Sequence, residues 1–272
     1  MIVAGANFRY VLDKRNGLFV SMKHNGKEQI ERPMDLNIWR APTDNDRYLQ
    51  YEWKRAGYHR TYARCYDVAV EKGISEISIH CKMSMAADAI QKALDINTTW
   101  SIDGSGNISL HMDVKKNPDF MMLPRFGIRM FLRKEMEYVS YYGLGPMESY
   151  CDKRRAASYG IYNAKVEEMH EDYIKPQENG SHCGCSYVVI GDGESTITAT
   201  SAQEFSFNAS VYTQEELTAK LHNFELQPSG YTVLCLDYAQ NGIGSDSCGQ
   251  DLLPQYRLYF ENIVFDMKLQ FH

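Results

Sequence analysis

The chain lacks the features that mark several large protein classes. It has no basic excess: 29 Lys and Arg stand against 35 Asp and Glu, for a net charge of −6. That argues against the positively charged face a nucleic acid or an anionic membrane needs, and says nothing for or against a neutral ligand such as a sugar. No apolar run approaches the ~20 residues that span a bilayer. The first seven residues show no basic stretch leading into an apolar one, as a secretion signal would. No linker rich in Pro, Gly or Ser, no repeat and no low-complexity tract divides the 272 residues. Because all-β folds often exceed 200 residues as one unit, residues 1–272 read as a single domain.

Strong helical periodicity is also scarce, so alternating strand–helix units and a parallel sheet are not indicated. The stretch Gly143-Leu144-Gly145-Pro146-Met147-Glu148 has no third glycine and carries proline where a helix would open, which rules out a dinucleotide-binding turn. Seven cysteines cannot all pair, and their scatter resembles no small disulfide scaffold, so reduced, buried thiols are expected. Cys183 and Cys185 form a C-x-C on an expected strand with both side chains on one face. No second ligand pair sits at zinc-site spacing, and no metal is expected.

What is present is period-two alternation. In 77–85 the odd positions are apolar and the even ones polar, and 108–115 alternates in the opposite parity, as half-buried strands do. Asp103-Gly104-Ser105-Gly106-Asn107 reads as a hairpin connection, and 24–27 and 191–193 as further turns. Strands are also expected at 187–190, 195–200, 231–238, 256–260 and 263–271. Nineteen Tyr and 11 Phe suit sheet faces and a sandwich core, although such rings can also stack on sugars. Helix is confined to two short pieces. Asp46 is expected to cap a helix running to about Ala56, with Tyr48, Tyr51 and Arg55 on related faces. Thr213-Gln214-Glu215-Glu216 has the form of a capping box opening another near 213–218. The sum is an all-β fold, one large antiparallel sandwich.

Several blocks carry more information than composition does. They are Trp39-Arg40-Ala41-Pro42-Thr43-Asp44-Asn45-Asp46, the hairpin at 103–106, Tyr142-Gly143-Leu144-Gly145-Pro146-Met147-Glu148-Ser149-Tyr150, Pro176-Gln177-Glu178-Asn179-Gly180, and Asn241-Gly242-Ile243-Gly244-Ser245-Asp246-Ser247-Cys248-Gly249. In sequence and order they resemble the C-terminal β-sandwich (small chain, or domain 5) of the large bacterial β-galactosidases of glycoside hydrolase family 2, over nearly the whole chain. The resemblance implies a galactose-mutarotase-like supersandwich. It also implies a parent enzyme that hydrolyses terminal β-D-galactosides with retention, packed against this sandwich through its catalytic barrel and preceding domains, in cis or as a separate large subunit. No cofactor is expected in this chain; the full enzymes often use a divalent cation and sodium in the barrel. A cytoplasmic enzyme is implied, with a periplasmic parent as the alternative.

A retaining glycosidase needs two carboxyl groups about 5–5.5 Å apart. The family's barrel supplies them from an Asn-Glu pair and from a Glu-Tyr pair followed closely by His, and neither pattern occurs here. No catalytic residue can be assigned, and the isolated chain is expected to be inactive. What the family takes from this domain is one loop, which carries a Trp that stacks on the sugar. Alignment puts Cys248 at that position, with Asp246 and Ser245 beside it as substrate-binding candidates. A thiol has no aromatic face, so stacking is lost here, and a Gly-rich turn closing a sheet is the plainer reading of the same loop.

Two further blocks have alternative readings. Asp44 and Asp46 could ligate a hard cation, but the spacing of a calcium loop is missing. The simpler role is to tie down a turn, with Arg40 paired to a carboxylate. Glu178 and His182 could be cast as the base and acid of an aldose 1-epimerase, whose sandwich is similar. In those enzymes, however, the two residues lie far apart in sequence, and Asn179-Gly180 is more simply a turn. A free-standing carbohydrate-binding or structural module is the remaining alternative.

Overall fold

The structure is a computed structural model that describes residues 1–244 and 249–272. Four strands form a small antiparallel sheet in sequential order: β1 (Ile2–Ala4), β2 (Phe8–Asp13), β3 (Leu18–His24) and β4 (Lys27–Glu28). The turn between β3 and β4 places Asn25 at φ 48 and Gly26 at φ 77, the left-handed pair that a two-residue hairpin requires.

The remaining strands form one larger antiparallel sheet. They are β5 (Ile30–Asn37), β6 (Tyr62–Lys72), β7 (Glu76–Ala86), β8 (Leu94–Asp103), β9 (Ile108–Lys116), β10 (Arg125–Arg133), β11 (Tyr138–Gly145), β12 (Ser158–Lys165), β13 (Ser181–Gly191), β14 (Thr196–Ser210), β15 (Tyr231–Gln240) and β16 (Asn262–Phe271). Their main order is β12-β11-β13-β14-β16-β9-β8-β7-β6. The 15-residue β14 makes the sheet branch. Its first half pairs with β16, from Ile197 opposite Phe271 to Thr200 opposite Lys268. Its second half pairs with β15, from Ser206 opposite Asp237 to Ser210 opposite Val233. β15 then pairs with β10, and β10 with β5.

The fold is an antiparallel sandwich. The small sheet joins the same apolar core as β8, β9 and β16. Phe19 meets Trp100 edge-on at 5.0 Å between ring centroids, and Tyr10 approaches Phe271 at 5.7 Å, separations at which aromatic pairs attract. Two buried polar tips are satisfied across the same seam: the Tyr10 hydroxyl donates to the Gly106 carbonyl (2.7 Å) and Trp100 Nε1 to the Gly17 carbonyl (3.0 Å).

The expected alternation at 77–85 and 108–115 falls in β7 and β9, and the 103–107 turn joins β8 to β9 with Ile102 opposite Ile108. The second helix, α2 (Gln214–Ala219), begins where expected, and Thr213 Oγ1 accepts from the Glu216 backbone N–H at 3.1 Å. The first differs. Asp44–Asp46 is a single 3-10 turn, and α1 (Leu49–Arg55) starts three residues later with no side-chain cap. Asp46 does not cap α1, because its carboxylate is engaged by Arg40 and by the Thr43 backbone N–H (2.8 Å).

The strand expected at 256–260 is also absent. Pro254–Tyr256 is a 3-10 turn, and the backbone beyond it bonds to loops: the Leu258 N–H donates to Asn241 Oδ1 (2.9 Å), and the Leu258 carbonyl accepts from the Leu123 N–H (3.1 Å). The C-x-C pair does not share a face. Gly184 takes φ +66 and the register of β13 shifts between His182 and Cys185, so Cys185 enters the core while Cys183 stays half-buried. No helix among the described residues is long and apolar enough to cross a membrane.

Candidate functional site

Four of the sequence blocks, far apart in the chain, meet around segment 241–244, the base of the loop that carries Ser245, Asp246 and Cys248. Those three candidates lie outside the described residues. What the structure describes is the frame from which the loop springs.

That frame is held by Arg40 and Asp152. Arg40 is fully buried, with its guanidinium over the Trp53 ring at 5.1 Å. It pairs with Asp46 through Nη2–Oδ1 (2.7 Å) and Nε–Oδ2 (3.2 Å). It also donates to the Asn241 carbonyl, and to the Gly242 carbonyl at 3.0 Å. The carboxylate expected for Arg40 is therefore Asp46, and the remaining donors of the guanidinium fork read two successive backbone carbonyls. Asn45 Nδ2 takes the next carbonyl, that of Ile243, at 2.6 Å.

The amide side is equally complete. Asn241 donates to the Pro124 carbonyl (2.9 Å) and Gly242 to that of Tyr256 (2.8 Å). Asp152 accepts from the N–H groups of Ile243 (3.0 Å) and Gly244 (2.7 Å). Every amide of 241–244 and three successive carbonyls thus have named partners, which fixes the direction in which the chain leaves the sheet. A Cβ at Gly242 would lie 2.6 Å from an Asp152 carboxylate oxygen, so a larger residue there would have to displace that side chain from the clasp.

A second buried knot supports the first. Arg125, with no exposed surface, donates through Nη1 to Glu178 Oε2 (3.1 Å), through Nε to Asp237 Oδ1 (3.2 Å), and through Nη2 to Asp237 Oδ2. Burial pushes Asp237 up to about 6 despite the adjacent guanidinium. Glu178 also accepts from Ser181 Oγ (2.8 Å), while its N–H donates to the Ala41 carbonyl (3.0 Å), tying 176–180 to 39–46. Block 142–150 joins through Glu148, which accepts from the Gly180 N–H (2.8 Å), Lys153 and Tyr173, and through the Ser149 N–H, which donates to the Ser181 carbonyl (2.7 Å). Gly180 has φ +69 and sits where a Cβ would meet the Met169 carbonyl oxygen at 2.2 Å, so both its conformation and its closeness demand glycine.

The epimerase roles do not fit these positions. Glu178 is held by Arg125 and Ser181. His182 is buried with Nδ1 3.0 Å from both the Tyr141 hydroxyl and the Leu144 carbonyl, and burial holds its pKa low. Asp44 turns to Gln177: its backbone N–H donates to Gln177 Oε1 (3.0 Å) and its carboxylate accepts from Gln177 Nε2 (3.4 Å).

Beside Asp152 lies a cavity of about 410 Å³ whose lining includes Met147, Lys153, Arg154, Arg155 and Tyr173. Of its three carboxylates, Glu148 and Asp152 are already spent on the contacts above, which leaves Glu171. Among the described residues the arrangement offers one uncommitted carboxylate in the cavity, Glu171, and not the pair that acid–base work on a glycoside needs. Asp152 and the Arg125–Asp237 pair were missed in the sequence. Asp152 follows the 142–150 block by two residues, a place where it could have been sought. Asp237 is 112 residues from Arg125 and carries no local signal.

Replacing Asp152 with alanine removes a charged acceptor of two N–H groups. The expected loss of stability is roughly 1.5–3 kcal/mol, seen as a lower urea midpoint with an unchanged slope. A midpoint equal to that of the unsubstituted chain would mean that the carboxylate does not clasp the loop base.

The sequence pattern of a family described as "Beta galactosidase small chain" matches residues 4–269. A β-galactosidase from Actinobacillus pleuropneumoniae is 43% identical over 94% of this chain and 25% of its own length, and one from Staphylococcus xylosus is 36% identical over 99% and 27%. The chain thus spans about a quarter of the length of these relatives. Among solved structures, a galactose 1-epimerase from Lactobacillus acidophilus NCFM superposes with a TM-score of 0.54 at 8% identity, covering 99% of this chain and 92% of that one. At that identity the likeness is one of fold alone.

Proposed function

Because the chain belongs to the β-galactosidase small-chain family, we propose that it is the sandwich part of a retaining β-galactosidase, a single domain that packs on a catalytic barrel and lends the loop after Gly244 to the rim of the galactoside site. The barrel and the domains before it, in the same polypeptide or as a separate large subunit, supply the two carboxyl groups of the reaction. The observation that carries this reading is the clasp on 241–244. Arg40, Asn45 and Asp152 together fix the backbone that leads into Ser245, Asp246 and Cys248. A rigid base is what a loop must have if its tip is to meet a substrate in one position.

The test is made at Cys248 in the assembled enzyme. Cys248→Trp adds a face on which a sugar ring can stack, a contact that contributes about 0.5–1.5 kcal/mol beyond area burial. KM for a β-galactoside is therefore expected to shift several-fold, with folding unchanged. Cys248→Ala is expected to change little, since a thiol is a weak hydrogen-bonding group. A normally folded Cys248→Trp enzyme with both KM and kcat untouched would show that the loop does not reach the substrate.

A further inference from the structure

Three large apolar side chains stand in solvent at one place on this end of the fold: Ile174 is 85% exposed, Phe224 83% and Leu221 66%. Single exposed apolar residues are ordinary and need no explanation, but a contiguous group is uncommon on a free surface. They are brought together by backbone structure, since the Asn223 N–H donates to the Ile174 carbonyl at 3.1 Å and Asn223 Nδ2 to Asp172 Oδ1 at 2.9 Å.

The turn that presents them is braced. Asn223–Glu225 is a 3-10 turn, and the Glu225 carboxylate accepts from the N–H groups of Leu221 (3.0 Å) and His222 (2.9 Å). The His222 ring stacks on Phe224 with an interplanar angle of 11°. Below the turn, Leu226 packs with Leu217 and Ala41 in a small apolar cluster of its own. Apolar side chains are therefore held outward on a support whose backbone bonds are satisfied, so little further ordering entropy would be lost when a partner covers them.

We propose that the Ile174–Leu221–Phe224 ridge is the apolar centre of the surface on which the rest of the β-galactosidase docks. This rests on the reading above, that the chain works with a catalytic polypeptide. Two observations favour that occupant over a second copy of this chain. The relatives carry three quarters of their length outside the matched segment, so a large polypeptide is available to cover this quarter. The ridge is also continuous with the loop frame: its supporting cluster contains Ala41, whose neighbour Arg40 holds Asn241 and Gly242, and Ile174 leads directly into 176–180. A partner seated on the ridge lies on the same end as the loop it is meant to share.

The experiment measures assembly of the whole chain with the large polypeptide carrying the remaining three quarters of the enzyme, followed by sedimentation and by the dependence of β-galactosidase activity on chain concentration. Phe224→Ala and Ile174→Asp are expected to weaken assembly at least tenfold, as loss of a central apolar anchor does. Both residues are exposed, so the melting temperature of the free chain is expected to stay put. Unsubstituted chain that assembles and variants that assemble equally well overturn the ridge and leave the functional reading standing. Variants that abolish self-association of the chain while leaving assembly intact assign the ridge to a second copy and overturn the proposal. Unsubstituted chain that fails to assemble at all removes the functional reading and this inference with it.

Discussion

Replacing Arg125 with methionine is expected to lower the stability of the chain by about 3–5 kcal/mol, the cost of breaking a buried ion pair by removing one partner. Arg125 lies between two carboxylates, Asp237 and Glu178, and none of the three side chains has more than a trace of exposed surface. Methionine fills much of the same volume, so the loss is electrostatic more than one of packing. Domains are typically stable by about 5–15 kcal/mol, so the variant should lose a large share of its stability. Its melting temperature should fall by roughly 6–20 °C, at 2–4 °C per kcal/mol for a chain of this size class. Lys14→Met, on an exposed side chain, is the control and should stay within about 0.5 kcal/mol.

The pH dependence of that loss gives a second check on its cause. Burial already pushes Asp237 up to about 6 with Arg125 in place, and removing the guanidinium pushes it further in the same direction. A carboxyl group whose folded pKa is raised binds more protons folded than unfolded between its unfolded value and the raised one, so stability rises as pH falls through that window. The deficit of Arg125→Met should therefore be larger at pH 8 than at pH 5. A deficit independent of pH would point to packing and away from the stranded carboxylates.

The parts of the fold that were legible in the sequence are those with local causes. Alternation in β7 and β9, the Asp103–Asn107 turn and the Thr213 cap depend on neighbours a few residues away. β10 was not legible, because it is buried on both faces for almost its whole length and so shows no period of two. The 256–260 segment has the aromatic composition of a strand, but its Leu258 N–H is taken by Asn241, a contact 17 residues distant that composition does not encode. Gly184 broke the face of the C-x-C pair by taking a left-handed conformation that its residue type permits without announcing.

For the site, the blocks themselves were visible, and so was the need of Arg40 for a carboxylate. What the sequence could not give is that Arg40 also reads the carbonyls of residues about 200 positions away, or that Asp152 completes the clasp from a third segment. Those contacts arise only when the branch at β14 brings β15 and β10 beside the ends of β5 and β13.

The most direct test is turnover of a chromogenic β-galactoside by the highly purified chain, alone and after mixing with the polypeptide that carries the rest of the enzyme. The chain holds none of the carboxyl patterns of the family's catalytic pair, and near its loop frame Asp46, Glu178, Glu148 and Asp152 are committed to Arg40, Arg125, Lys153 and backbone N–H groups respectively. Retaining hydrolysis needs two carboxyl groups facing one bond, and loss of acid–base catalysis alone costs about 10²–10⁴ in rate. The account predicts no turnover above background by the chain alone and a gain of at least about a thousandfold on mixing. Hydrolysis by the isolated chain that a substitution within it abolishes would contradict the account.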